Sequence, residues 1–241
     1  MQTTLCLDFG NTRLKYGIFN GKDFKEESTL NDDNTSTIED ILATHHPAKT
    51  ILSSVINHNT EIETLLAAKT KFHKLSDQSK LPFTTPVGKP ETIGADRLAL
   101  VAAAVYFYPK QHNLIIGMGS CITYNFVNKF HEFLGGAISP GLEMRFKSMN
   151  QFTAKLPLVK ADSNLPLVGY DTKTNLQSGV ILGIAKEMDG IIDEYALRYG
   201  NFNVHLTGGD MRFFVPLLKN KIFANPQLIF KGLYALSETN S

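Results

Sequence analysis

The segment from Asp8 to Lys15 combines residue types that suit the binding of a nucleoside triphosphate. Its order is Asp8-Phe9-Gly10-Asn11-Thr12-Arg13-Leu14-Lys15. Gly10 lets the backbone approach a ligand closely, while Asn11 and Thr12 add polar groups beside the backbone N–H groups. Lys15 supplies a positive charge for phosphate, and Asp8, at the end of an apolar strand, is placed to hold a hydrated Mg²⁺. The alternative interpretation is an ordinary hairpin with an Asn-containing turn.

Two strands must position this segment, and a similar arrangement recurs later in the chain. Residues 4–7 and 16–19 are apolar or alternating, which predicts a β-hairpin with residues 8–15 at its tip. Residues 5–19 align with residues 114–128, so that Gly119 falls on Gly10 and Ser120 on Asn11. The repeat predicts two related half-domains that face each other across a cleft, each with one phosphate hairpin. Chance similarity between two apolar hairpins is the alternative.

Composition excludes several classes of function. The 241 residues include 24 basic and 23 acidic side chains and are 43% hydrophobic, and they carry no basic stripe or tail, so we expect no nucleic-acid partner. The longest apolar run, residues 98–108, is too short to cross a membrane. Cys6 and Cys121 have no Cys/His cluster around them and are predicted to be inert thiols. A strand at the very start leaves no room for a signal peptide, so we expect a cytoplasmic protein.

Strands alternate with helices along the whole chain, which predicts a layered α/β protein. Predicted strands include residues 23–28, 49–55, 71–75, 131–134 and 204–206, and predicted helices include residues 38–45, 61–69, 94–107, 142–152 and 175–199. Thr37 is the predicted N-cap of the first helix, and residues 135–141 are predicted to form a tight turn. A boundary near residues 111–113 divides the chain into halves 1–112 and 113–241.

The motif Gly94-Ala95-Asp96-Arg97 makes this sequence resemble the type III pantothenate kinases. Further motifs of that family follow in the same order over most of the chain: residues 8–15, 119–123, 135–141, and Thr172 with Ser178-Gly179. Residues 207–210, Thr-Gly-Gly-Asp, resemble a motif of the wider superfamily. The resemblance implies the actin-like (ribonuclease H-like) fold shared with acetate and sugar kinases, with duplicated half-domains and a cleft between them.

The resemblance also implies an activity. Members of the family phosphorylate pantothenate with ATP to give 4'-phosphopantothenate, the first step of coenzyme A biosynthesis. They use Mg²⁺ with ATP, require a monovalent cation, K⁺ or NH₄⁺, and act as homodimers whose active site lies at the subunit interface. Each of these properties is therefore an expectation for this chain.

Individual roles carry over by position. Residues 8–15 are assigned to the ATP phosphates, with Asp8 toward Mg²⁺, and Ser120 to the nucleotide. Residues 94–97 and Thr172 are assigned to pantothenate, with Asp96 as general base, because an alcohol that attacks a γ-phosphate needs a carboxylate to accept its proton. Arg97 could grip the pantothenate carboxylate or the migrating phosphoryl group.

Each of these roles has a structural alternative. Asp96 could instead complement the dipole of a helix N-terminus. Arg97 could form a surface ion pair, and Thr172 could be a helix N-cap.

The chain departs from the family pattern at three positions. Gly117 stands where the family has an Asp that helps to hold the monovalent cation, so the cation requirement is expected to be weakened, displaced or lost. Asn125 also replaces a common Asp, and the loop before Gly94 lacks a substrate-contacting Tyr, with Val87 nearest by spacing. A non-catalytic or retuned homologue that acts as a regulatory or binding protein is the main rival hypothesis. A related sugar or acetate kinase is a third, against which the motif at Gly94 counts.

Overall fold

The computed structural model describes residues 2–86 and 90–240. Its first sheet has five strands in the order β3-β2-β1-β4-β5. Their bounds are β1 Thr3–Phe9, β2 Leu14–Asn20, β3 Asp23–Leu30, β4 Lys49–Ser54 and β5 Lys71–Lys74. Strand β1 pairs antiparallel with β2 and parallel with β4, so β1 and β4 present their carboxyl ends at the same edge of the sheet.

Helices pack on both faces of this sheet. Apolar residues of β1, among them Leu5, Leu7 and Phe9, form one core with α1 (Thr35–His45) and α2 (Glu61–Lys69). Helices α3 (Ala95–Phe107) and α7 (Leu228–Thr239) pack against each other and against β4, and α7 also contacts β1 and β2. They cross so closely that a Cβ on Gly232 would collide with the backbone of Ala99.

The second sheet repeats the topology of the first. Its order is β10-β9-β6-β7-β8, which matches β5-β4-β1-β2-β3 strand for strand. The bounds are β6 Asn113–Met118, β7 Cys121–Val127, β8 Phe133–Pro140, β9 Asn203–Gly208 and β10 Phe223–Ala224. The remaining helices are α4 Leu142–Gln151, α5 Thr172–Tyr199 and the single turn α6 Met211–Phe214. The predicted duplication within an α/β fold is confirmed.

The chain forms two compact units. The first comprises Met1–Lys110, Asn125–Gly135 and Gln227–Ser241, and the second comprises Gln111–Tyr124 and Gly136–Pro226. These units differ from the predicted halves 1–112 and 113–241 because α7, at the end of the chain, packs on α3 and β1 of the first unit. No helix in the described ranges combines the length and apolarity that a membrane span requires.

Several local predictions were wrong. Residues 135–140 belong to strand β8 rather than to a turn; β8 is an edge strand, where Pro140 is tolerated, and Gly135 has a φ of 95°. Helix α1 begins earlier than predicted, with Asn34 rather than Thr37 as N-cap. The hydroxyl of Thr37 donates instead to Asp32, at 2.7 Å.

Candidate active site

The first hairpin places Asp8 and Lys15 opposite each other in the strand ladder. Asp8 pairs with Lys15, and Phe9 pairs with Leu14. The tip is therefore shorter than the predicted 8–15 and consists of residues 10–13, closed by a hydrogen bond of 3.1 Å from Gly10 N to Arg13 O. Within the tip Asn11, Thr12 and Arg13 are exposed. Phe9 is fully buried and Leu14 packs on the same core, so any contact of these two with a ligand would be through their backbone.

Asp8 lies on the face of the sheet that α7 covers. Asp8 alternates with the core residues Leu7 and Phe9, and Gly17 of the same face meets the ring of Phe230 on α7. Burial and the nearby negative charge of Asp96 raise the pKa of Asp8 to about 7, against a smaller lowering by Lys15. The two predicted acidic site residues, Asp8 and Asp96, are thus close enough to interact.

Asp96 lies in the first turn of α3, just after its N-cap Gly94. A Cβ placed on Gly94 would lie 2.6 Å from Oδ1 of Asp96, so the glycine leaves the space into which this carboxylate folds. Leu98 N donates to Gly94 O at 3.1 Å and starts the helix. A side chain larger than hydrogen at position 94 would therefore displace the Asp96 carboxylate.

Arg97 is held by two residues to which the sequence analysis gave no role in the site. Its Nε donates to Oδ1 of Asn125 at 2.6 Å, and its guanidinium carbon lies 5.6 Å from the centroid of the Phe133 ring. Both partners are fully buried. A guanidinium that is stacked on a ring and bonded at Nε has a fixed plane. The sequence showed Asn125 only as a departure from the family, and no pattern indicated that it contacts Arg97.

Gly141 bonds to the turn of the second hairpin, which β6 and β7 form. This turn is closed by Gly119 N, which donates to Cys121 O at 3.0 Å. Gly141 N donates to Ser120 O, also at 3.0 Å, and a Cβ on Gly141 would lie only 2.6 Å from that same oxygen. Of the predicted 135–141 segment, Gly141 is thus the residue whose lack of a side chain allows contact with the hairpin.

Thr172 is the first residue of α5 and is exposed. The N-cap of α5 is Asp171, whose carboxylate accepts from Thr174 N at 2.7 Å in a capping box, so the alternative N-cap role for Thr172 is wrong. Thr172 lines a pocket of about 610 Å³ together with Arg145, Asn175 and several apolar side chains of α4 and α5.

Asp8 and its surroundings fit a Mg²⁺ ion that is also bound by phosphate. Ser53 on β4 is in register with Asp8, and its fully buried hydroxyl has no hydrogen-bond partner among the described residues. In the described ranges no three His, Cys, Asp or Glu side chains cluster as a metal site. Mg²⁺ that is shared with phosphates needs only one or two carboxylates and keeps several waters. Asp8 supplies one such carboxylate, and the hydroxyl of Ser53 could bond to a metal-bound water.

The surroundings of Gly117, the predicted monovalent-cation position, do not suit a cation as those of Asp8 suit Mg²⁺. Gly117 is buried within β6, where it pairs with Thr207 of β9. Neither residue carries a charge, so this position lacks the carboxylate that the resemblance implies.

The predicted site residues are divided between the two units. The first unit contains residues 8–15 and 94–97, whereas Gly117, Ser120 and Thr172 belong to the second. Val87, the position nearest to the missing Tyr, lies outside the described residues.

A Ser–His–Glu chain also lies in the first unit, at the end of β4. The Oγ of Ser54 lies 2.9 Å from Nδ1 of His58, and Nε2 of His58 lies 2.9 Å from Glu63. The hydroxyl of Ser54 lies within hydrogen-bond distance of Ile56 O, at 3.0 Å, as well as of His58. This arrangement links the end of β4 to α2.

Comparison with known proteins agrees with the resemblance. The sequence profile of the type III pantothenate kinase family matches residues 4–194. A type III pantothenate kinase of Christiangramia forsetii is 41% identical over 239 residues, which cover 98% of each chain.

Solved structures agree on the fold. A Campylobacter jejuni protein assigned to the Baf family of transcriptional activators superposes with a TM-score of 0.61 at 22% identity and covers 98% of each chain. A glucokinase from an Antarctic psychrotroph superposes with a TM-score of 0.52 at 11% identity and covers 99% of each chain. At these identities the likeness is one of fold, and it confirms the predicted actin-like architecture.

Proposed function

Because the chain belongs to the type III pantothenate kinase family and is a kinase that phosphorylates pantothenate with ATP, we propose that Asp96 is its general base. The observation that carries this assignment is that Asp96, in the first turn of α3, lies close enough to Asp8, beside the tip of the first hairpin, for the two carboxylates to interact. One carboxylate can then face the metal and phosphates while the other accepts a proton from the substrate.

The proposed reaction is an in-line transfer. The primary hydroxyl of pantothenate gives its proton to the Asp96 carboxylate as its oxygen bonds to the γ-phosphorus, and the bond from that phosphorus to the ADP oxygen breaks. Positioning and charge neutralisation supply most of the rate in such reactions. The absence of a side chain at Gly94 allows the Asp96 carboxylate to adopt the position that this role requires.

The phosphates are proposed to bind at the first hairpin. Ser120 of the second hairpin is retained as a proposed nucleotide contact. The exposed tip at residues 11–13 carries no acidic side chain and Lys15 follows it with a positive charge, so this end of the first hairpin suits anionic phosphates. Asp8 would hold Mg²⁺, which neutralises phosphate charge when bound.

Arg97 is proposed to bind an anionic group of the substrate. Its guanidinium plane is fixed by Asn125 and Phe133, which reduces the entropy that an oriented ion pair must otherwise lose. The two candidate partners are the pantothenate carboxylate and the migrating phosphoryl group. Thr172 is retained as a proposed substrate contact.

The chain is also proposed to act as a homodimer and to be located in the cytoplasm. The apolar stripe of α5 does not by itself support a dimer, since Val180, Ile184, Met188 and Ile192 are buried within the chain. Better support comes from the segment after α4, where Phe152, Leu167, Val168 and Tyr170 are each more than four-fifths exposed. Leu167, Val168 and Tyr170 are also near neighbours in sequence, and an exposed apolar surface is typical of a protein–protein interface.

The test is turnover by the purified chain. ATP and pantothenate are supplied with Mg²⁺ and with K⁺, NH₄⁺ or Na⁺, and 4'-phosphopantothenate is measured by mass spectrometry. Glucose and acetate serve as control acceptors, and neither should be phosphorylated. Binding of ATP and pantothenate without turnover under every cation would instead indicate a non-catalytic binding protein.

A further inference from the structure

Arg145 on α4 bonds to the segment that supports the second hairpin. Its Nε donates to Pro140 O at 2.8 Å, and its Nη2 donates to the hydroxyl of Ser139 at 2.9 Å. These two residues immediately precede Gly141, the residue in contact with Ser120. One guanidinium therefore fixes both the backbone and a side chain of the end of β8.

The same guanidinium is anchored to the core of the second unit. Its Nη2 also donates to Oε2 of Glu187 on α5, and Oε1 of Glu187 accepts a hydrogen bond of 3.0 Å from the hydroxyl of Tyr124. Tyr124 is fully buried on β7, the returning strand of the second hairpin. Despite partial burial, hydrogen bonds from Arg145, Ser139 and Tyr124 hold the pKa of Glu187 below its ordinary value, so the pair is ionic.

These contacts form a closed ring that includes the turn of the second hairpin. The ring consists of hydrogen bonds joined by two short backbone segments, residues 139–141 and 120–124. Starting from the turn, Ser120 bonds to Gly141, whose preceding residues bond to Arg145. Arg145 bonds to Glu187, and Glu187 bonds to Tyr124 in the strand that leaves the turn. The ion pair therefore contacts the returning strand directly, through Tyr124, and it supports the turn through the residues that precede Gly141.

We propose that Arg145, paired with Glu187, is a positioning residue that fixes the second hairpin for nucleotide binding. This inference rests on the proposed function, in which Ser120 contacts the nucleotide. The partial burial of the pair, and the further hydrogen bonds of Arg145 to Ser139 and Pro140, are the reasons to expect a measurable effect, because exposed ion pairs contribute little. The side chains of Arg145 and Glu187 are only 21% and 26% exposed.

The same helix offers a matched control. Lys147 forms an ion pair with Glu143 at i,i+4, with exposures of 63% and 73%, and it bonds to neither hairpin. Lys147→Ala removes one cation from α4, as Arg145→Ala does, while the ring stays intact.

The experiment compares Arg145→Ala, Arg145→Lys, Glu187→Gln and Lys147→Ala. For each, kcat, the KM for ATP, the KM for pantothenate and Tm are measured, together with calorimetric binding of a non-hydrolysable ATP analogue with Mg²⁺. Arg145→Ala should raise the KM for ATP and weaken analogue binding about tenfold, as expected for loss of a charge-assisted hydrogen bond. Because Arg145 also lines the pocket beside Thr172, the proposed pantothenate contact, the KM of this variant for pantothenate should rise, but by less than the KM for ATP. Arg145→Lys should recover part of the loss, Glu187→Gln should show a smaller loss, and Lys147→Ala should show none.

A lower Tm with unchanged ATP KM and unchanged analogue binding would overturn the inference, because it would mean that the pair is only structural. Equal loss of affinity for both substrates would also overturn it. If Arg145→Ala does not fold, Glu187→Gln, which keeps the side-chain shape, decides by the same readouts. A wild type that binds the analogue but does not turn over defeats the proposed function alone, and the binding comparison still tests Arg145.

Discussion

Arg97 Nε donates a hydrogen bond of 2.6 Å to Oδ1 of Asn125, a side chain with no exposed surface. The amide orients the guanidinium without neutralising it. Arg97 therefore keeps its full charge while its plane is fixed, which is the state that suits capture of a carboxylate or phosphoryl group.

Substitution of Asn125 tests this orientation. Asn125→Leu removes the acceptor and leaves a guanidinium donor without its partner, which should lower kcat/KM about 10- to 100-fold, as expected for about 1.5–3 kcal/mol. Asn125→Asp keeps the acceptor but adds a negative charge beside the guanidinium, so it should lose activity, though less than Asn125→Leu. Steady-state kinetics on both variants, with Tm as a check on folding, decide the matter. Equal activity in the Leu and Asp variants would show that Asn125 does not orient Arg97.

Asp8 should link stability to pH in the metal-free protein. Its pKa is raised from the ordinary 3.8 to about 7, so between those values the folded chain keeps a proton that the unfolded chain releases. The contribution of Asp8 to the free energy of unfolding should therefore fall as pH rises from about 4 to about 7 and level off above. Asp8→Asn should gain stability relative to wild type over that range, as measured by urea unfolding. A constant difference between wild type and variant from pH 4 to 8 would contradict this.

The same carboxyl should make metal use depend on pH. Protonated Asp8 cannot bind Mg²⁺, so in the wild type the Mg²⁺ concentration for half-maximal activity should rise as pH falls below about 7. Asp8→Asn should lose most Mg²⁺-dependent turnover at every pH while pantothenate binding, measured by calorimetry, is retained. Loss of pantothenate binding together with a collapsed Tm would show that Asp8 is structural.

The repeated hairpins and the helices after them could be predicted because each carries a local signal. Period-two apolar strands, a short polar turn and the alanine-rich α3 all act within a few residues. Strand β8 escaped prediction because Gly135 and Gly136 favour a turn locally, and only pairing at the sheet edge makes them a strand. Helix α7 escaped because its place is set by contacts with α3 and β1, far away in sequence.

The site residues that could be predicted are likewise those with a local sequence signal. Asp8 and Asp96 were predictable because each lies within a short motif. Asn125, Ser53 and Arg145 were not assigned roles in the site, because their relation to it depends on strand register or on contacts between elements distant in sequence.

Gly117 should make the cation requirement weak or absent. It places no charge where the family resemblance implies a carboxylate, and fewer charged ligands lower affinity for a hard cation. Activity is titrated with KCl against NaCl at constant ionic strength, in wild type and in Gly117→Asp. The wild type should need high K⁺ or ignore it, and the variant, if it folds, should gain K⁺ activation at lower concentration. Tight K⁺ activation in the wild type that the variant leaves unchanged would show that Gly117 is not the cation position.

The exposed apolar segment should be buried in a homodimer. Light scattering of the active protein at micromolar concentration should give twice the mass of the chain. Tyr170→Glu, which puts a charge on a side chain that is 81% exposed, should shift the mass toward the monomer. Lys147→Glu, which adds a negative charge at a side chain that is 63% exposed, is the control and should leave the mass unchanged. A monomer with full activity would contradict the prediction.

Asp96 is proposed to accept the proton of the pantothenate hydroxyl, and single-turnover phosphoryl transfer by Asp96→Asn isolates that step. Wild type, Asp96→Asn and the exposed control Asp40→Asn are mixed with saturating ATP, Mg²⁺ and pantothenate, and 4'-phosphopantothenate is followed by rapid quench. Asp96→Asn should slow transfer by about 10²–10⁴-fold, with Tm and nucleotide binding close to wild type, while Asp40→Asn transfers at the wild-type rate. A rate for Asp96→Asn above about a tenth of the wild-type value would contradict the assignment of Asp96 as the base.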